Sequence, residues 1–154
     1  MKLLKKIGLV LLLVFIVAQF FSPEKNQGNT EDLTAFLNET KPSPEVKTIL
    51  ETTCFDCHSS NTKYPWYDKI TPINFWLNEH VEDGKKHLDF SKWSDYSIKR
   101  KDHKFEELAE EVEEKKMPYT WTHGDAKLSD SQIKAIVDWV NQVRMGYALA
   151  PKAE

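Results

Sequence analysis

Cysteine is nearly absent from this chain: 154 residues contain only two, Cys54 and Cys57. Four-thiolate zinc sites are therefore excluded, and a mixed site would have to recruit scattered histidines that lack finger spacing. Positive charge is not in surplus either, since the formal charge at pH 7 is −3. With the three lysines of the first six residues set aside, 18 basic residues face 24 acidic ones, a formal charge of about −6. That balance argues against a nucleic-acid partner and suits a basic protein partner. No segment alternates with period two, and there is no internal repeat or low-complexity tract. Charged residues make up 29% and apolar ones 40%, so a single domain of about 130 residues would have a modest core with room for a large cofactor.

Long apolar runs are missing except at the N-terminus. There Lys2, Lys5 and Lys6 precede a hydrophobic stretch from Ile7 to Phe21, the pattern of an export signal. The stretch is shorter than the roughly 20 residues that span a bilayer comfortably. Small residues at cleavage spacing are absent, because Ile16 stands two places before Ala18. The expectation is an uncleaved anchor at 1–21, with the lysines cytoplasmic and the remainder in the periplasm or otherwise outside the cytoplasm, held to the inner membrane. Residues 22–42, polar and opening with Pro23, Asn26, Gln27 and Gly28, read as a tether with one short helical turn. Residues 43–146 read as the domain and 147–154 as a tail.

Four helices are expected in the domain. Ser43 as N-cap and Pro44 at the first position start one that carries Val46, Ile49, Leu50 and Cys54 at helical spacing. Thr71 and Pro72 start a second, with Ile73, Trp76, Leu77, His80 and Val81 on one stripe, ending near Gly84. A third runs from about Tyr96 to Lys116, with Ile98, Phe105, Leu108, Ala109 and Val112 inward and a glutamate-rich outer face. The fourth has a capping box of Ser129 and Gln132, with Leu128 and Ile133 placed as a staple, and Gly146 suits a left-handed end. Ile133, Ile136, Val137 and Val140 form its buried stripe. The class is all-α, with long loops at 59–70 and 117–127 of the kind that usually wrap something.

The chemistry lies at Cys54, Phe55, Asp56, Cys57 and His58, a C-x-x-C-H pattern of covalent haem c attachment. Two thiols spaced by two residues at a helix end can both add across the porphyrin vinyl groups. His58 then reaches the iron from the proximal side. Its second ring nitrogen needs an acceptor, for which a carbonyl of the Ser59–Pro65 loop is expected. The rival readings are weaker. A disulfide closing so short a loop adds little stability, and a thioredoxin-like pair would follow a strand rather than a helix. For the sixth position Met117, followed by Pro118, lies outside the apolar stripe of the third helix, where a gap-filling core methionine has less reason to be. His80 is its main rival. His87, His103 and His123 read as surface residues, and an open sixth site is the remaining alternative. Tyr64, Pro65, Trp66 and Tyr67, with Tyr119 and Trp121, are expected to flank the ring.

The order of helix, C-x-x-C-H, loop, Met-Pro and capped terminal helix resembles class I cytochromes c. More narrowly, Cys54 to His58 running into Asn61 to Tyr67, then His80-Val81, His87-Leu88, Phe90, Trp93 and Met117-Pro118, is similar to the bacterial haem-binding domain proteins. The resemblance spans about Ser43 to Val143 and implies a cytochrome c-like helical domain wrapped around one haem, attached at Cys54 and Cys57. It implies iron ligation by His58 and, more weakly, by Met117. The function expected is non-enzymatic one-electron transfer with an unidentified redox partner. The alternative is a haem-based sensor with an open or labile sixth site.

Overall fold

The structure, a computed structural model, describes residues 2–119 and 127–149. Every regular element among them is helical, as the missing period-two segments require. One isolated antiparallel bridge joins Gln27 and Asn61.

The N-terminal run forms α1 (Lys2–Ala18), 17 residues long. At 1.5 Å per residue this is about 25 Å, against a hydrocarbon core of about 30 Å. No helix among the described residues is long and apolar enough to cross a membrane, which corrects the expectation of an anchor helix spanning the bilayer.

Residues 22–42 are not a loose tether. A 3-10 turn (Thr30–Leu33) leads into α2 (Thr34–Thr40), and Phe36 on α2 is fully buried. Its ring meets those of Phe55, Phe90, Trp93, Phe105 and Trp139 at centroid distances of 4.5 to 6.3 Å. Upstream, Asn26 is bound on several sides. Its amide donates to the Tyr64 hydroxyl, and its side-chain nitrogen donates to the Ser59 carbonyl and to Thr62 Oγ1, each at 2.8 Å. One buried aromatic in a polar stretch is a weak periodic signal, so composition alone hides this docking.

The helix before the motif begins as its sequence dictates. Pro44 opens α3 (Pro44–Ile49), and the Ser43 hydroxyl accepts from the Val46 amide at 3.2 Å. A π-turn (Leu50–Cys54) follows, where the Phe55 amide reaches back to Leu50, and the rod ends as α4 (Phe55–His58). Two threonines explain the widening. Thr53 Oγ1 donates to the Ile49 carbonyl at 2.6 Å and Thr52 Oγ1 to that of Thr48 at 2.8 Å, competing with backbone donors for these acceptors. The extra residue turns the motif away from the stripe of Val46, Ile49 and Leu50, a use of π-bulges common at functional sites.

After a 3-10 turn (Trp66–Lys69), α5 (Ile73–His87) begins one residue later than expected, with Pro72 at its N-cap. Thr71 instead donates its hydroxyl to the Phe21 carbonyl. The helix runs past Gly84, whose role is close packing. A Cβ there would lie 2.9 Å from the Cys57 carbonyl oxygen, so a hydrogen is what lets α5 rest on α4. A further 3-10 turn (Phe90–Asp95) buries Phe90 and Trp93.

The antiparallel pair α6 (Ile98–Glu113) and α7 (Asp130–Leu149) closes the core. Phe105, Ala109 and Val112 are buried as expected, whereas Ile98 is 46% exposed and Lys101 takes an inner position paired with Glu39 at 2.7 Å. The capping box forms: the Ser129 amide donates to Gln132 Oε1 at 2.9 Å and the Gln132 amide to Ser129 Oγ at 3.3 Å. Gly146 does not end α7, which continues through Leu149. Trp139, outside the expected stripe, is buried and donates its indole N–H to the Thr40 carbonyl at 2.9 Å.

Candidate functional site

Cys54 ends the π-turn, and Cys57 and His58 lie on α4. Both cysteines are free and partly buried. Burial pushes each thiol up to about 11, with Thr53 partly opposing this at Cys54 and the Asp56 charge adding to it at Cys57. A reactive dithiol or a thiolate ligand needs the opposite shift. Asp56 is itself buried and braces the following loop, its carboxylate accepting from the Lys63 amide at 3.2 Å and its carbonyl from Thr62 Oγ1 at 2.6 Å.

The His58 imidazole is fixed from a direction the sequence did not announce. Its Nδ1–H donates to the Leu88 carbonyl at 2.9 Å, just past the end of α5, and not to the Ser59–Pro65 loop. Burial holds His58 below the usual histidine range, although the Leu88 and Gly84 carbonyls and Asp89 favour the charged form. The ring is therefore neutral, with its proton on Nδ1 and the Nε2 lone pair left for a metal, the state a proximal ligand requires.

Two adjoining cavities surround the motif. The larger, about 490 Å³, is lined by Cys54, His58, Leu88, Leu108, Val112 and Met117 among others. The smaller, about 200 Å³, is lined by Cys57, His58, His80, Gly84, Met117 and Tyr119 among others. His58, His87, Met117 and Tyr119 belong to both walls. The larger volume falls in the range of small-molecule and cofactor sites. Their walls combine apolar side chains, two thiols, a tautomer-locked imidazole and a thioether, a donor set that fits a haem. A further cavity, about 660 Å³, is a charged cleft between Lys25, Lys85, Asp89 and Arg100 that contains none of the motif's side chains.

The tertiary structure thus brings Met117 beside Cys54 and His58, and places His80 in the smaller cavity. There the His80 Nδ1–H donates to the Trp76 carbonyl at 2.7 Å. His87 is exposed, as expected, and also lines both cavities. His103 is exposed and lies between Glu106 and Glu107. The Tyr64–Tyr67 cluster is not at the cavities: Tyr64 binds Asn26, and Trp66 is 75% exposed. Of the expected flanking aromatics only Tyr119 lines the site, while Trp121 and His123 lie outside the described residues. No run of local sequence marked Leu88 or His87 for this wall, because both arrive through the packing of α5 on α4.

A family model described as a haem-binding domain matches residues 13–142. No curated protein and no solved structure gives a significant match.

Proposed function

The chain belongs to the haem-binding domain family, and from that premise we propose that it is a mono-haem c-type cytochrome of class I character that carries single electrons outside the cytoplasm. The observation that carries this reading is the common wall of Cys54, His58 and Met117 around a cavity next to Cys57, apolar at Leu88, Leu108 and Val112 and charged at Lys104, Glu107, Glu110 and Glu111. When bound, the haem iron supplies a one-electron couple between its ferrous and ferric states.

The residues divide the remaining work. Cys54 and Cys57 would hold the haem as thioethers, one to each of its two vinyl groups, by addition of S–H across the double bond. No oxidant or leaving group is needed. His58 offers Nε2 to the iron while the Leu88 carbonyl holds its other face, which fixes the ring's orientation and raises its basicity. Met117 would offer its thioether to the iron, a ligand type that favours the ferrous state and a higher potential. Leu88, Leu108 and Val112 keep water from the site. The lysine-led hydrophobic N-terminus supports export, the route to the compartment where such thioethers are made.

The test is purification from cells with the c-type maturation system, followed by haem staining of a denaturing gel. Haem that stays with the wild-type chain and leaves Cys54→Ala/Cys57→Ala supports covalent attachment, and haem lost from the wild type refutes it. The near-infrared band of sulfur-ligated ferric iron should be present in the wild type and vanish in Met117→Ala. Its persistence there, or its loss only in His80→Ala, would reassign the distal ligand. Rapid carbon monoxide binding by the untreated ferrous protein would favour the sensor instead.

A further inference from the structure

The strongest unexplained feature is a band of exposed apolar side chains where α1 meets the domain. Leu3 to Val17 on α1 leave their large side chains 46 to 72% exposed. The band continues beyond the helix through Phe20 and Phe21, 84% and 62% exposed, to Trp66, Ile73 and Phe75 at 75%, 36% and 45%. These last three come from the 3-10 turn after the motif and from the first turn of α5. Lys63 and Lys69, both exposed, lie in the same loop.

This junction is held by specific bonds. Gln19 donates its side-chain amide to the Thr71 carbonyl at 3.1 Å and accepts from the Thr71 amide at 3.0 Å, while the Thr71 hydroxyl donates to the Phe21 carbonyl at 2.9 Å. The same Gln19 nitrogen donates to the Phe15 carbonyl at 2.9 Å in the last turn of α1. Four residues beyond Phe21, Lys25 pairs with buried Asp68 and stacks over the Tyr64 ring at 4.1 Å. The apolar helix therefore leaves the domain in one direction, through a collar of aromatic residues. Aromatic rings with lysines beside an apolar segment are the side-chain mixture of a membrane–water interface.

We propose that the collar of Phe20, Phe21, Trp66, Ile73 and Phe75, flanked by Lys63 and Lys69, rests in the headgroup layer of an anionic bilayer and orients the whole domain on it. The occupant is a lipid surface because the collar is continuous with α1, which no element among the described residues covers along its length, and because the charged groups around the collar's loop include exposed lysines. α1 leads from the collar into the same lipid, its large apolar side chains from Leu3 to Val17 being exposed on every side. The collar sits at the start of α5, and His80 and His87, which line the haem cavities, sit toward its end. From Ile73 to His87 is about 21 Å along a helix axis. The haem site is then held at the end of α5 remote from the lipid, open to partners in the aqueous phase. The lipid contact itself does not depend on the haem assignment.

The test is hydrogen–deuterium exchange of the full-length, haem-loaded protein bound to vesicles of phosphatidylglycerol and phosphatidylcholine, against the variant Trp66→Ser/Phe75→Ser in the same vesicles. Both side chains are solvent-facing, so the variant should keep the wild-type haem spectrum and α1 should still carry it into the vesicle fraction. Peptides covering 63–70 are expected to exchange about threefold more slowly in the wild type, with α6 and α7 unchanged. That slowing should weaken in vesicles of phosphatidylcholine alone. Equal exchange in wild type and variant, slowing confined to α6 and α7, or slowing that grows with the protein-to-lipid ratio, as a second copy on the collar would cause, overturns the proposal.

Discussion

Gly84→Ala should destabilise the protein although it replaces a glycine inside a helix. Propensity alone favours alanine by about 1 kcal/mol. Against this, the new methyl would lie 2.9 Å from the Cys57 carbonyl oxygen and 3.5 Å from its Cβ. The first contact is about half an ångström too close, and the obstacle is backbone rather than a side chain that can swing away. Relief requires α5 to withdraw from α4, an overpacking cost of about 1–3 kcal/mol. The net effect is a loss of about 1 kcal/mol, up to about 2, or roughly 3–8 °C in Tm for a domain this size. The movement would also reach the site, because the Leu88 amide donates to the Gly84 carbonyl at 2.9 Å and the Leu88 carbonyl holds His58. Gly146→Ala is the control. Gly146 lies within α7 with nothing within 4 Å of a Cβ, so alanine there should add about 0.5 kcal/mol. Urea unfolding followed by circular dichroism, with haem absorbance recorded in parallel, measures both. If Gly84→Ala stabilised the protein as Gly146→Ala does, the close approach of α5 to the motif would be wrong.

Phe36→Ala distinguishes a docked N-terminal segment from a tether, since loss of a fully buried ring against five aromatic neighbours should cost about 3–5 kcal/mol; a denaturation midpoint unchanged from wild type would restore the tether. Acid should act through Glu39, whose pKa is lowered although burial opposes ionisation, because bonds from Lys101 and Tyr147 outweigh it. A carboxylate with a folded pKa below its unfolded one contributes stability that is present above about pH 4.5 and lost as pH falls through the folded value. Glu39→Gln should therefore flatten the acid limb of a stability–pH curve, and an unaltered limb would remove Glu39 as its cause. Trp139→Phe removes the indole bond to the Thr40 carbonyl and should cost about 1–2 kcal/mol in the same unfolding assay; a neutral result would show that α7 does not need α2 at that point.

Local sequence determined a good deal of this protein. The C-x-x-C-H motif points to haem in five consecutive residues, and the absence of alternating segments leaves helices as the only class. The Ser43-Pro44 start and the Ser129–Gln132 box mark helix ends, because capping is an interaction between residues three apart. Met117 was also legible, as a methionine placed where an apolar stripe had ended. What depends on separation in space was not legible. The Leu88 carbonyl that holds His58, the place of His87 at the cavity walls and the close packing at Gly84 all arise where elements distant in sequence meet. Gly84 shows the limit most clearly: in sequence a glycine near a helix end reads as a stop, and only α4 lying against α5 turns it into a contact point. The haem motif is thus written in the chain, while the neutral, oriented imidazole and the cavity that Met117 shares with it are products of the fold.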